Sequence, residues 1–327
     1  MKVLLTGGSG FLGSYVAELL SAAGTEVRAL VRQSSNTSFL RTLEHVELAY
    51  GAVEDRASLD EAVRGVDAVV HAAGLVKART AAEFTAINVD GTRNLLDAVE
   101  NAGTSVRRFV LVSSLTAVGP SLDGKPVHPD ARRPVTNYGR SKAQAEQVVR
   151  EARERLSVVI LRPPMIYGPR DRETLAFFKS ITQGVLPYLG DGSMKMSVIY
   201  GRDAAQACVR AVEADVPSGS TYFLDDGYAY VWRNMLEEME RALGKRALLR
   251  IGLPMPMAFV AALGSELIGK MTGKAVMFTR DKLNELRGPH WVCDGSDARR
   301  ELGLKPEVDW IDGCRLSVDW YRAERWL

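Results

Sequence analysis

The stretch "KVLLTGGSGFLGSYVAELL", residues 2–20, runs from an apolar segment of strand length into glycines at positions 7, 8, 10 and 13 and then into helical spacing of apolar residues. Gly7, Gly10 and Gly13 stand three apart at a strand-to-helix junction. Glycines so placed meet three demands: a tight turn, approach of a pyrophosphate to bare backbone, and close packing of helix on strand. The free amides and dipole at the start of the helix favour the negative charge. Gly7, Ser9, Gly10, Phe11, Leu12 and Gly13 are therefore the expected cradle for the phosphates of a dinucleotide, and Gly8 is open to a reading as a small turn residue only.

Outward from that turn, apolar runs of strand length at 3–5, 27–31, 46–50, 68–70, 109–112 and 158–161 alternate with helical patterns at 11–22, 59–63, 84–99 and 143–155. Continuous apolar strands joined by helices predict a parallel sheet covered on both faces. The expected fold class is α/β, a Rossmann-like doubly wound parallel sheet with a smaller mixed α/β C-terminal cap domain. From Pro169 onward the alternation gives way to helical patterns at 175–182, 204–213, 232–243, 258–271 and 310–321 between proline and glycine loops. The expected division is a dinucleotide-binding domain over 1–168, with 198–225 returning to it, and a substrate-binding cap over 169–327.

Composition narrows the partners. The 327 residues are 46% apolar and 25% charged with a formal net charge of +2, and the basic residues are dispersed in short clusters such as Arg107-Arg108 and Arg132-Arg133. That is an ordinary globular composition without a nucleic-acid footprint. Cys208, Cys293 and Cys314 are far apart and not in metal-ligand spacing, so reduced thiols in a cytoplasmic protein and no metal are expected. The N-terminus lacks the apolar core of a signal peptide. The longest uncharged stretch, residues 251–265, holds two prolines and falls short of the roughly 18–20 residues a transmembrane helix needs.

The second strand ends in Val31-Arg32, where an NAD site would present an acidic residue to the ribose 2′-hydroxyl. Arginine offers a fork for the 2′-phosphate instead, and Ser34 and Ser35 can add donors, so the expected cofactor is NADP, with NAD the alternative. Further along, "TNYGRSKAQAEQ", residues 136–147, puts Tyr138 and Lys142 four apart on one helix face. A phenol beside an ammonium has its pKa lowered toward working pH. Ser113-Ser114 lies at the C-terminal end of a predicted strand, where ligands bind in open α/β sheets. Serine, tyrosine and lysine together describe proton transfer coupled to hydride transfer.

On these residues the chain resembles an extended short-chain dehydrogenase/reductase. Gly7, Gly10 and Gly13 match the glycine motif of that family, "HAAG" (71–74) its fourth-strand motif, "NVDGTRNLL" (88–96) the helix that follows, and "LRPPMIYGP" (161–169) its sixth-strand segment. The resemblance implies a catalytic Ser114, Tyr138 and Lys142, with Ser113 the alternative serine. It also implies a supporting role for Asn88, in a water relay or in the local backbone, and cofactor contacts at Val53, Ala72, Ala73, Tyr138, Lys142 and Pro164 besides the glycine turn and Arg32. One departure is Ala52, followed by Val53, where many members place an acid for the adenine amine; the adenine contact expected here is apolar or through the backbone. A homodimer paired through the helices at 84–99 and 138–155 is implied by the resemblance alone.

Members that handle nucleotide sugars carry an arginine before the strand equivalent to 197–200 and another near the C-terminus. Here the first position reads Met196, and the second region is "PHWVCDGSDARRELG", residues 289–303. The segments 190–207 and 277–294, with the apolar helix at 254–268, resemble the branch of 3β-hydroxysteroid dehydrogenases, dihydroflavonol reductases and long-chain 3-oxoacid reductases. The activity implied is NADP-dependent interconversion of a secondary alcohol and a ketone on a mostly apolar small molecule. A nucleotide-sugar epimerase or dehydratase with tightly held NAD is the alternative enzyme, and a cofactor-sensing protein without catalysis is the alternative of another class. Met165, Phe177, Phe178, Tyr188, Met194 and Met196 are candidates for an apolar pocket or for core. Arg170 and Arg172 are candidates for a substrate carboxylate or for a solvated loop, and His290 and Trp291 for cap packing. The helix at 258–271 is expected to be buried in the cap or in a dimer contact, with peripheral contact to a membrane surface as the other reading.

Overall fold

In the computed structural model the chain is described at residues 1–103, 106–189, 191–273, 275–276 and 278–327. Gly190 and Met277, which head two of the segments compared above, lie outside these residues. Strands β1 (Lys2–Thr6), β2 (Glu26–Val31), β3 (Val46–Tyr50), β4 (Ala68–His71), β5 (Arg108–Val112) and β6 (Val158–Arg162) form the first half. They alternate with helices α1 (Phe11–Ala22), α2 (Arg56–Ala62), α3 (Ala81–Phe84), α4 (Gly91–Asn101) and α5 (Asn137–Glu151). The second half holds β7 (Met165–Tyr167), β8 (Val185–Leu189), β9 (Lys195–Met196), β10 (Val198–Tyr200), β11 (Ser220–Phe223), β12 (Tyr230–Val231), β13 (Leu249–Leu253) and β14 (His290–Trp291). Its helices are α6 (Arg172–Thr182), α7 (Gly201–Glu213), α8 (Trp232–Leu243), α9 (Met255–Thr272), α10 (Arg280–Arg287), α11 (Ser296–Glu301) and α12 (Trp310–Ala323).

Seven strands make one sheet in the order β11-β6-β5-β4-β1-β2-β3, every neighbouring pair parallel. The order reverses at β1, so the turns after β1 and β4 diverge and leave a crevice at the carboxyl ends of the strands, the place where doubly wound sheets bind ligands. The middle of each central strand is apolar on both faces because helices cover both. Val3, Leu5, Val70 and Val110 pack toward α1 and α7 on one side, while Leu4, Val69, Phe109 and Leu111 pack toward α2, α4 and α5 on the other. The cap has its own core, in which Tyr167, Phe178, Trp310 and Tyr321 are among the largest fully buried side chains.

Three expectations take definite form on this frame. The helical pattern over 84–99 is present with one irregularity: α3 passes through a widened π turn at Thr85–Asp90 before α4 begins. Met165, Phe177, Tyr188, Met194 and Met196 pack against the buried cap cluster that contains Phe178, so they build the cap core and do not line a pocket at Tyr138. Helix α9 turns its small residues inward. Ala258, Ala262 and Gly269 are buried, with Leu283 of α10 against the first two, and the close approach leaves its large side chains facing outward rather than into the cap. Among the described residues no helix is long and apolar enough to cross a membrane, and the three cysteines are buried and unpaired.

Candidate active site

The glycine turn after β1 holds its shape because only glycine fits. Gly7 adopts φ +77°, and a Cβ there would stand 2.6 Å from the Ala73 amide nitrogen, which pins the turn against the end of β4; a Cβ on Gly13 would overlap the Gly7 carbonyl. The Gly10 amide donates to the Gly7 carbonyl at 2.9 Å. Helix α1 then begins with no side-chain cap and no acid in its first turn. Helix ends normally satisfy those amides with a capping side chain, and α5 does so: the Thr136 hydroxyl accepts from the Gly139 amide at 3.1 Å. The open end of α1, with Ser9 and Gly10 exposed and Phe11 and Leu12 half-buried beside it, therefore fits a diphosphate.

Around this turn stand the other expected cofactor residues. Arg32 is exposed at the end of β2, its backbone amide bonded to the Ser35 hydroxyl at 3.2 Å. Its guanidinium makes no ion pair among the described residues. Ala72 and Ala73 are half-buried directly across from Gly7. Val53 is buried under α4 against Gly91, and its carbonyl accepts from the Asn94 amide group at 3.1 Å. Pro164 is half-buried between β6 and β7.

The candidate reacting groups converge at the C-terminal end of β5. Ser113 and Ser114 part company there. The Ser113 hydroxyl donates to Glu146 Oε1 at 2.6 Å inside the protein, which commits it. Ser114 Oγ accepts from the Thr116 amide at 3.1 Å and from Thr116 Oγ1 at 2.9 Å. With both acceptor positions filled, the Ser114 proton is left to donate elsewhere. Tyr138 lies half-buried on the first turn of α5, its ring 6.0 Å from that of Phe84. Burial pushes its phenol up to about 12, with the Ser114 hydroxyl working the other way and the Glu285 carboxylate adding to the rise.

One turn further, the Lys142 ammonium is buried and donates to the Val112 carbonyl at 2.8 Å. Burial draws its pKa down to about 8, and the Glu146 carboxylate pulls it back up. A Cβ on Gly74 would meet Lys142 Nζ at 3.2 Å and Asn88 Oδ1 at 3.1 Å, so that glycine admits both groups to the end of β4. Asn88 is satisfied on every side: its Oδ1 accepts from the Leu75 amide at 2.7 Å, and its Nδ2 donates to the Leu75 carbonyl and to Ser141 Oγ. The side chain thus ties the loop after β4 to α5.

Two buried networks missed at the sequence level hold these groups. Arg162 on β6 and Glu146 on α5 form a two-point ion pair at 2.8 and 2.7 Å. Burial works to raise the Glu146 carboxyl, and the Arg162 hydrogen bonds and charge outweigh it, holding it below the usual range. His71 bridges Thr6 Oγ1 at 2.7 Å and Thr92 Oγ1 at 3.0 Å. Thr92 donates to the Asn88 carbonyl at 2.7 Å, so the chain closes with a neutral imidazole donating from Nε2 and accepting at Nδ1. Burial first and the Lys142 charge second push His71 down to about 3. Arg162, at the end of an apolar strand, was the one sequence signal of its pair with Glu146; Glu146 stands between Ala145 and Gln147 and gave none.

Tyr138 opens on a cleft of about 590 Å³ whose walls are the loop and α3 over 76–84 on one side and α9–α10 on the other. The carboxylates there are largely engaged: Glu83 with Arg79, Glu266 with Arg280, Glu285 with Lys282 and Asp281 with Arg140. Arg170 does not reach this cleft. Its guanidinium sits between the Tyr15 and Phe39 rings at 4.1 and 4.2 Å and pairs with Glu18, so it locks the turn after β7 onto α1. Arg172 stacks on Trp326. Trp291 donates to the Glu285 carbonyl at 3.0 Å, and the His290 ring accepts from the Lys195 amide.

A family model described as NAD dependent epimerase/dehydratase family matches residues 3–224. The chain belongs to that family. Over 329 residues it is 35% identical to a ceramide reductase of Caulobacter vibrioides, covering 99% of this chain and 96% of that one. A 4-hydroxy-2-methyl-3-oxo-4-farnesyl-3,4-dihydroquinoline-1-oxide ketoreductase of Stigmatella aurantiaca is 32% identical, with 94% and 93% covered. Among solved structures, DesIV, a dTDP-glucose 4,6-dehydratase from Streptomyces venezuelae with NAD and TYD bound, superposes with a TM-score of 0.82 at 26% identity, covering 99% and 98%. The protein is thus an oxidoreductase of the epimerase/dehydratase family that works with a nicotinamide dinucleotide on a small molecule.

Proposed function

We propose that this family member is an NADP-dependent ketone reductase acting on a long, mostly apolar molecule. The single observation that carries the reading is the grouping at the C-terminal end of β5 of a protonated phenol, the serine hydroxyl that bonds it and a buried ammonium held on the Val112 carbonyl, with the phenol opening on the cleft. The dinucleotide, when bound, supplies hydride. The Gly7-Gly10-Gly13 turn and the open end of α1 would hold its diphosphate, Arg32 its 2′-phosphate, and Lys142 its nicotinamide ribose as the family resemblance implies.

Chemistry at the substrate oxygen follows from the protonation states. A phenol held near 12 carries its proton at neutral pH, so Tyr138 is a loaded acid suited to the reducing direction. It gives that proton to the carbonyl oxygen as negative charge develops there, while Ser114 donates a hydrogen bond to the same atom. The Lys142 charge, present below about pH 8, stabilises the phenolate left behind.

The substrate class rests on two supports. The relatives named above are a ceramide reductase and a ketoreductase of a farnesylated quinoline. A nucleotide-sugar site is disfavoured because Met196 stands where those members carry arginine, in register with Tyr230 and Trp291. We also assign residues 1–168 with 198–225 to the dinucleotide half and the remainder of 169–327 to the cap. NADPH oxidation with a long-chain 3-oxoacyl compound tests the proposal: Tyr138→Phe should lose about 10²–10⁴-fold in turnover and bind NADPH unchanged by fluorescence titration. Turnover retained in that variant overturns it.

A further inference from the structure

Helix α9 is built the wrong way round for a helix on a water-exposed surface. Such a helix normally turns its large apolar side chains toward the body and its charges outward. Here Ala258, Ala262 and Gly269 face inward, Glu266 turns to Arg280 of α10, and Met257, Val260, Leu263, Leu267, Ile268 and Met271 stand in solvent. Val260, Leu267 and Met271 are 67%, 59% and 80% exposed. The chain that feeds the helix continues the pattern, with Leu248 95% and Leu249 55% exposed. A contiguous apolar face of this kind marks a binding surface.

We infer that α9 lies in the surface of a lipid bilayer carrying anionic headgroups and brings the catalytic cleft to a membrane-resident substrate. The inference rests on the lipid-ketone reading above. Three observations select this occupant. Eighteen residues give a rod of roughly 27 Å that is not apolar enough to cross a bilayer, and its small-residue side is held against α10, so only the outward apolar side is free to enter a lipid surface. Charge is complementary: Lys245, Arg246, Lys270 and Arg287 are exposed and make no ion pair among the described residues, whereas Glu266 is paired with Arg280 and Glu240 with Arg250. Cations left over beside an apolar face favour anionic lipid. Finally, Glu266, Gly269 and Lys270 of the same helix line the cleft onto which Tyr138 opens, so a molecule leaving the lipid at α9 enters at the reacting groups.

Flotation of the full chain with vesicles tests this. The wild type should rise with phosphatidylcholine vesicles containing phosphatidylglycerol and much less with phosphatidylcholine alone. Val260→Asp with Leu267→Asp, which adds charge only to surface already in water, should cut the floated fraction at least tenfold. Its gel-filtration mass and its NADPH oxidation with a short water-soluble ketone should stay those of the wild type. A wild type that remains at the bottom with both vesicle types overturns the inference, as does a double variant that floats equally well. Conversion of a dimer to a monomer by the double substitution would also overturn it, assigning the face to a second copy. Loss of soluble-ketone turnover in the wild type would count instead against the reductase reading, which the flotation result does not touch.

Discussion

At the scale of single residues, the site separates groups that look interchangeable in the sequence. Ser113 and Ser114 are adjacent, yet one is spent on Glu146 and the other keeps a proton to donate beside Tyr138. Tyr138 and Lys142 are one turn apart, and burial moves them in opposite directions: the neutral phenol is favoured up to about 12, and the ammonium loses its proton near 8. The expected lowering of the phenol by the ammonium is not found: burial raises it, and the opposing influence is the Ser114 hydroxyl. A pH dependence follows. The ammonium with its lowered pKa is charged below about 8 and neutral above it, so kcat/KM for ketone reduction should fall as pH rises through about 8 while Tyr138 is still protonated. A profile flat to pH 10 would show that the Lys142 charge is not used. For Arg32, exposed and unpaired at the end of β2, Arg32→Glu should lower kcat/KM with NADPH at least tenfold and spare NADH; equal loss with both cofactors would remove the 2′-phosphate assignment.

At the scale of elements, the buried Glu146–Arg162 pair fastens α5 to β6 and, through Ser113, to β5, the three elements whose ends carry Lys142, Pro164 and Ser114. Removing one partner strands the other as an unpaired buried charge, which costs about 3–5 kcal/mol. Glu146→Leu should therefore lower the midpoint of chemical denaturation sharply, and Glu146→Leu with Arg162→Met should recover much of the loss. A double variant as unstable as the sum of the two would contradict the account. The pair was not legible in the sequence, because both residues read as ordinary polar positions until the helix is laid on the sheet. The parallel strands and the glycine turn were legible, since a turn of bare backbone and runs of Val and Leu admit few other structures. The π turn at Thr85–Asp90 and the outward face of α9 were not. Periodicity reports which residues share a face, and it is silent on whether that face meets protein or water. For the same reason Met165, Phe177 and Met196 read as pocket or core alike, and only the cap core decides between them.

At the scale of the molecule, the sheet supplies a fixed floor and the cap supplies a wall. Arg170, between Tyr15 and Phe39 and paired with Glu18, fastens the start of the cap to α1 beside the glycine turn. Asp203 of α7 accepts from the Glu307 and Val308 amides at 3.1 and 3.2 Å and so draws the C-terminal segment back onto the helix layer of the main sheet. In the proposed mechanism the reaction takes place where the sheet and α5 set the reacting groups, and the opposite wall of the cleft, α9 and α10, decides what is admitted. The most direct measurement of the central claim is deuterium transfer from NADPH carrying two deuteriums at the nicotinamide C4 to a long-chain 3-oxoacyl compound, followed by mass spectrometry of the product. The account predicts an alcohol bearing one deuterium for each NADPH consumed, and none from Tyr138→Phe. Turnover that leaves NADPH undiminished, or an alcohol without the label, would contradict it.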